Sequence, residues 1–125
     1  MMIINILLVI AGGGLGAACR YLLTIVAVRW FGNGFPWGTL GVNLAGCFLI
    51  GLAFSLAGRN IITPQVRLFF ITGFLGGLTT FSTYALESTN FWIGRESLAA
   101  LIDITVNNLG GIILVFLGLW LGKQI

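Results

Sequence analysis

Gly73-Phe74-Leu75-Gly76-Gly77-Leu78-Thr79-Thr80-Phe81-Ser82-Thr83-Tyr84 sets three glycines and four aliphatic hydroxyls inside an apolar stretch, running from Leu68 to Leu86, that is long enough to cross a bilayer. In hydrocarbon every backbone N–H and C=O needs a partner within the protein, so a loosened segment at membrane depth survives only if it is buried or lines a polar cavity. Gly76-Gly77 followed by Thr79-Thr80 concentrates weak helix formers and predicts a break in this span half-way across. The carbonyls freed by such a break could bind an ion.

The flanking sequence supports a membrane setting. Hydrophobic residues make up 58% of the 125 positions and charged residues 7%, with a mean hydropathy of +1.09, which leaves too little polar material to cover a water-soluble surface. Uncharged stretches from Ile3 to Cys19, Trp30 to Gly58, Leu68 to Leu86 and Ile104 to Gly122 match the roughly 17–25 residues a spanning helix needs. The expected fold is an all-α integral membrane protein, a single four-helix domain over residues 1–125 with helices near 3–30, 38–58, 65–90 and 98–123. Short turns join them at Phe31–Pro36, Arg59–Pro64 and Trp92–Glu96, with Pro64 suited to the first turn of the third helix. Those spans consume nearly the whole sequence and leave no room for a soluble domain.

An apolar run ending in Gly16-Ala17-Ala18-Cys19 superficially resembles a cleaved leader or lipoprotein site. No basic residue precedes it, however, and the apolar pattern resumes after Arg20. Cys19 and Cys47 lie inside helices without metal-ligand spacing and read as packing residues. Small residues four apart, as in Gly12 with Gly16, Gly14 with Ala18 and Gly73 with Gly77, predict close helix contacts. Most of the 19 glycines fit that role; Gly76-Gly77, followed by Thr79-Thr80, is assigned to the break instead.

Orientation normally follows the excess of Lys and Arg on the cytoplasmic side. Here the side expected to hold both termini and the second turn carries Arg59, Arg67 and Lys123, while the other carries Arg29, Arg95 and Arg20. So even a balance admits insertion both ways round, and with it an antiparallel dual-topology homodimer.

The polar inventory points to an anion. There is no His, and the acids Glu87, Glu96 and Asp103 fall near the ends of helices three and four, so no mid-depth group is placed to load and unload protons. Hydrogen-bond donors remain: Asn43 in helix two, Ser82 and Thr83 after the break, and Asn107 and Asn108 in helix four. Arg20 reads either as lining a water-filled vestibule or as snorkelling to the headgroups. Asn43 reads as an anion ligand or as interhelical glue, and glue is the better reading for Asn107 and Asn108. Phe81 and Tyr84, three apart, share a helix face and could turn electropositive ring edges toward a desolvated anion.

Three segments carry a resemblance to the Fluc, or CrcB, family of small fluoride channels: Gly13-Gly14-Leu15-Gly16-Ala17 with Arg20, Gly38-Thr39-Leu40-Gly41-Val42-Asn43-Leu44-Ala45-Gly46, and Gly73 to Thr83. The resemblance covers the full length. It implies an antiparallel homodimer with two fluoride pathways and a structural sodium ion at its centre, held by backbone carbonyls of Gly76 and Thr79 from each chain. It further assigns Asn43 and Phe81 to the anion path, with Ser82 and Thr83 as hydroxyl candidates and Arg20 near a vestibule. Tyr84 stands where the family usually has a second phenylalanine, which keeps the ring edge and adds a phenolic hydroxyl. Passive fluoride export through a bacterial inner membrane is the implied function.

Two other readings account for less. A small multidrug exporter would need a carboxylate in helix one, where Arg20 stands instead. A non-transporting assembly subunit would explain the glycines but not the hydroxyl cluster. No nucleophile with a base, cofactor fingerprint or metal-hydrolase spacing suggests an enzyme, and no nucleic-acid partner is expected.

Overall fold

The computed structural model describes residues 1–125, and its helices form four spans long and apolar enough to cross a membrane: α1 (Met2–Phe31), α2 (Trp37–Gly58), α3 (Pro64–Ile93) and α4 (Ser97–Gln124). The protein is thus a multi-pass integral membrane protein. Only 20 of 125 residues are buried within the single chain, so most of the apolar surface faces outward, as expected when hydrocarbon or a partner chain is the surrounding medium.

The ends of the spans follow from local chemistry. α1 stops at Gly32, whose φ of 78° favours glycine and whose N–H closes on Val28 O at 2.8 Å. α3 starts with Pro64 in its first turn behind Thr63, whose hydroxyl accepts from Val66 N–H at 3.3 Å. It runs on to Ile93, past the expected end at residue 90, and a tight turn through Arg95 at φ 61° leads into α4.

Neither α3 nor α4 is uniform. In α3 an α-helical turn (Pro64–Arg67) widens into a π-helical stretch (Leu68–Leu75) and returns to α-helix over Gly76–Leu78. Thr79 (φ −81°, ψ 153°) and Thr80 (φ −147°, ψ 117°) are extended, and α-helix resumes over Phe81–Ile93. α4 carries its own π-helical turn at Val106–Gly110, which contains Asn107 and Asn108. Such wide turns commonly mark functional positions in helices.

Packing falls into two glycine-lined seams. Where α1 meets the first part of α3, a Cβ on Gly12 would strike Phe69 O, one on Gly16 would strike Phe74 O and one on Gly77 would strike Gly13 O. Where α2 meets α4, a Cβ on Gly51 would strike Val115 O and one on Gly118 would strike Phe48 O. These backbones approach too closely for any side chain at those positions. Val42, Leu75 and Leu78 form the buried core between the seams, with Cys19, Leu49, Phe70 and Phe74 packed around it.

This corrects the assignment of Gly76-Gly77. Both glycines are helical, and Gly77 is a contact residue against α1, whereas Gly76 faces open space. The extended residues are the threonines. Their hydroxyls compete for backbone partners: Thr79 Oγ1 donates to Leu75 O at 2.9 Å, and Thr80 Oγ1 caps the resumed helix by accepting from Thr83 N–H at 3.3 Å.

Candidate functional site

Helical dihedrals at Thr79 would send Thr80 N–H to Gly76 O, four residues back, but Thr79 is extended. Thr80 N–H donates instead to Asn43 Oδ1 at 2.8 Å, and Asn43 Nδ2 returns a hydrogen bond to Thr80 O at 3.1 Å. One amide of α2 therefore clips both polar groups of a residue in α3. The second Nδ2 hydrogen of Asn43 goes to Asn107 Oδ1 on α4, at 3.0 Å. An amide carries only two such hydrogens, so both Asn43 donors are engaged.

Asn107 is committed in turn, its Nδ2 donating to Asp103 Oδ1 and to Asp103 backbone O, each at 2.9 Å. Asp103 is 1% exposed, and its other oxygen accepts from Ser88 Oγ at 2.6 Å. Sequence reasoning placed Asp103 near a helix end and missed that it is buried. The spacing Asp103-x-x-x-Asn107, one turn apart on a helix face, was the available signal. Thr39 and Glu87 were also missed as a pair: Thr39 Oγ1 donates to Glu87 Oε1 at 2.8 Å, while Glu87 Oε2 is buried with no hydrogen-bond partner.

The aromatic pair lies beside this network. Phe81 and Tyr84 rings stand 5.5 Å apart in an edge-to-face arrangement at 71°. Tyr84 is buried and its phenolic oxygen accepts from Asn108 Nδ2 at 2.8 Å, which leaves its own hydrogen to donate. Asn107 and Asn108 thus reach different helices, α2 and α3, from adjacent positions in the π-helical turn.

A cavity of about 330 Å³ brings together Asn43, Gly76, Thr79, Phe81, Tyr84 and Asn107. Arg20, Ser82 and Thr83 do not line it. Thr83 is engaged with the Thr80 hydroxyl at 3.1 Å, and Ser82 is exposed on the outer face of the chain. Arg20 is tied to the same region from α1, its Nε donating to Gly77 O at 3.0 Å.

No group of three or more His, Cys, Asp or Glu side chains could hold a metal, so any cation here would depend on oxygens of the backbone or hydroxyls. With Thr79 and Thr80 extended, the carbonyls of residues 76–79 all lose their helical donors, and Arg20 takes that of Gly77; Gly76 O and Thr79 O are the two that the resemblance assigns to a cation. The ordinary helical donor to Gly76 O is Thr80 N–H, which goes to Asn43; the ordinary donor to Thr79 O is Thr83 N–H, which goes to the Thr80 hydroxyl. The carbonyls of Gly76 and Thr79 fit a hard cation for that reason.

Four apolar spans, with a cavity between α2, α3 and α4 where amides and hydroxyls meet the apolar side chains of Ile50, Ile71, Leu75 and Phe81, define a multi-pass membrane protein with a partly polar site inside its bundle. Residues 7–119 match the family model described as CrcB-like protein, Camphor Resistance (CrcB). The chain is 40% identical over 121 residues to a protein of Mesorhizobium japonicum named fluoride-specific ion channel FluC, covering 97% of this chain and 98% of that one. Proteins of the same name from Agrobacterium fabrum and Salinibacter ruber are 41% and 44% identical, over 98% and 92% of this chain and 98% and 86% of theirs. The chain belongs to the CrcB-like family.

Proposed function

We propose that the protein is a fluoride-selective channel that lets fluoride leave the cell passively across a bacterial inner membrane, as an antiparallel dual-topology homodimer with two anion pathways. The observation that carries this reading is the cavity at Thr79 and Thr80, where Asn43, Phe81 and Tyr84 meet within an apolar bundle whose relatives are named fluoride channels. The extended pair Thr79–Thr80 lies at mid-depth in this reading, and the second chain covers the exposed face that carries Phe81 and Ser82.

Residue roles follow from which hydrogens are free. Asn43 holds the backbone of Thr80, so an anion reaching it must displace Thr80 O or Asn107 Oδ1 as an acceptor. The Tyr84 and Ser82 hydroxyls can donate directly, and the Phe81 ring presents its electropositive edge. Thr83 contributes as the capped residue, its N–H donating to the Thr80 hydroxyl and its own hydroxyl accepting from it. Arg20 attracts anions toward the pathway mouth while bracing Gly77 O. A narrow path with fixed donors suits the smallest halide and leaves chloride poorly solvated.

Gly76 and Thr79 carbonyls from both chains would hold a structural sodium ion at the dimer centre. When bound, that ion supplies positive charge and ties the chains together without being transported. The test is fluoride-electrode efflux from proteoliposomes, with chloride as control: fluoride efflux well above empty vesicles and chloride efflux equal to them is the expected result.

A further inference from the structure

We propose that Asp103 is a positioning residue: through Asn107 and Asn43 it sets the peptide plane between Thr79 and Thr80, and with it the direction in which the Thr79 carbonyl and the released Gly76 carbonyl face. This rests on the cation-site reading above. The hydrogen bonds run one way, from Thr80 N–H to Asn43 Oδ1, from Asn43 Nδ2 to Asn107 Oδ1, and from Asn107 Nδ2 to Asp103 Oδ1. An amide has a donor end and an acceptor end, so the direction of such a chain is decided by a terminus that can only accept. Asp103 is that terminus. Its two oxygens take hydrogens from Asn107 and from Ser88, and it is 1% exposed, so no solvent competes for them.

With Asn107 Nδ2 drawn to Asp103, only Asn107 Oδ1 faces Asn43. Asn43 must then turn Nδ2 toward it and keep Oδ1 for Thr80 N–H. Two consequences reach the backbone. Gly76 O loses its helical donor, and because the peptide is trans and planar, a Thr80 N–H aimed at Asn43 points the Thr79 C=O to the opposite side. Aligned dipoles along the chain strengthen one another in a low-dielectric interior. A side chain on α4 that touches neither pathway ring nor carbonyl therefore prepares a site on α3.

The test uses full-length protein in lipid nanodiscs, labelled with ¹⁵N-threonine, and reads the hydrogen exchange of the Thr80 amide with and without sodium chloride, beside fluoride efflux. Asp103→Leu is expected to speed Thr80 exchange at least about tenfold and to lower efflux to a similar degree, as for loss of a charge-assisted bond. Asp103→Asn keeps an oxygen that can face Asn107 but adds a donor end, so it is expected to fall between wild type and Asp103→Leu in both. Because the chain is serial, Asp103→Leu with Asn107→Leu should be no worse than Asn107→Leu alone, whereas independent packing losses would multiply. If Asp103→Leu does not fold, Asp103→Thr substitutes for it, keeping a hydroxyl for Ser88 on an arm too short for Asn107. Unchanged Thr80 exchange in a folded variant, or losses that multiply, would overturn the proposal. Absence of fluoride efflux from the wild type would instead overturn the channel reading, leaving the amide measurement to decide this one.

Discussion

The seam between α1 and the first part of α3 and the seam that joins α2, α3 and α4 at Thr80 are made of different materials. The first is mainly steric: Gly12, Gly16 and Gly77 remove side chains so that backbones meet, and Arg20 Nε on Gly77 O is the polar side-chain contact across it. The second is directional, built from Asn43, Asn107, Asp103 and the Thr80 backbone, each with a defined donor or acceptor role. Steric contact fixes how far apart helices stand but not which way a carbonyl points. A hydrogen-bonded chain does the reverse, and the cavity forms at the second seam, where orientation matters.

The largest loss is expected at the steric seam. Gly16→Leu forces a side chain into Phe74 O, a backbone atom that cannot swing aside, so folded protein should be lost from size-exclusion profiles, beyond the ~1–3 kcal/mol of ordinary overpacking. Gly14→Ala meets open space in the same helix and should leave the profile unchanged. If both variants behave alike, the steric account of the seam fails.

At the polar seam the expected loss is of function before fold. Asn43→Asp replaces both donor hydrogens with acceptors, opposing Thr80 O and Asn107 Oδ1 and adding negative charge to an anion path. Fluoride efflux should fall by at least about tenfold, the scale of hydrogen bonds to charged groups. Smaller effects sharpen the picture. Thr80→Val removes the cap on Thr83 N–H and should cost about 1 kcal/mol, read as a lowered thermal-unfolding midpoint in detergent. Tyr84→Phe deletes only the bond from Asn108 and the spare phenolic hydrogen, so efflux should change by a factor of about five or less.

What could be read from the sequence depended on the range of the interactions. The four spans are legible because each is a continuous run of apolar residues, and the small-residue spacing of Gly12 with Gly16 marks a real contact. The region around residues 76–80 is also visible as chemically odd, but the sequence spreads the break over Gly76-Gly77 and Thr79-Thr80, whereas only the threonines are extended. Propensity reports that glycine weakens a helix; it does not report that α1 lies close enough to compensate at Gly77, or that Asn43, far away in sequence, captures the N–H of Thr80. Asp103 was hidden for the same reason. Its position near the start of α4 suggests an exposed acid, and only the approach of Ser88 and Asn107 makes it a buried acceptor.

The central claim is that the cavity beside Thr79 and Thr80 conducts fluoride, and Phe81 tests it most directly because its ring is 76% exposed on the single chain and contributes little to the chain's own packing. Fluoride-electrode recordings from proteoliposomes holding wild type or Phe81→Ile, each checked for folding and for chloride leakage, make the measurement. The account predicts rapid fluoride efflux from the wild type and efflux near empty-vesicle levels from the variant. Equal efflux from both would contradict it.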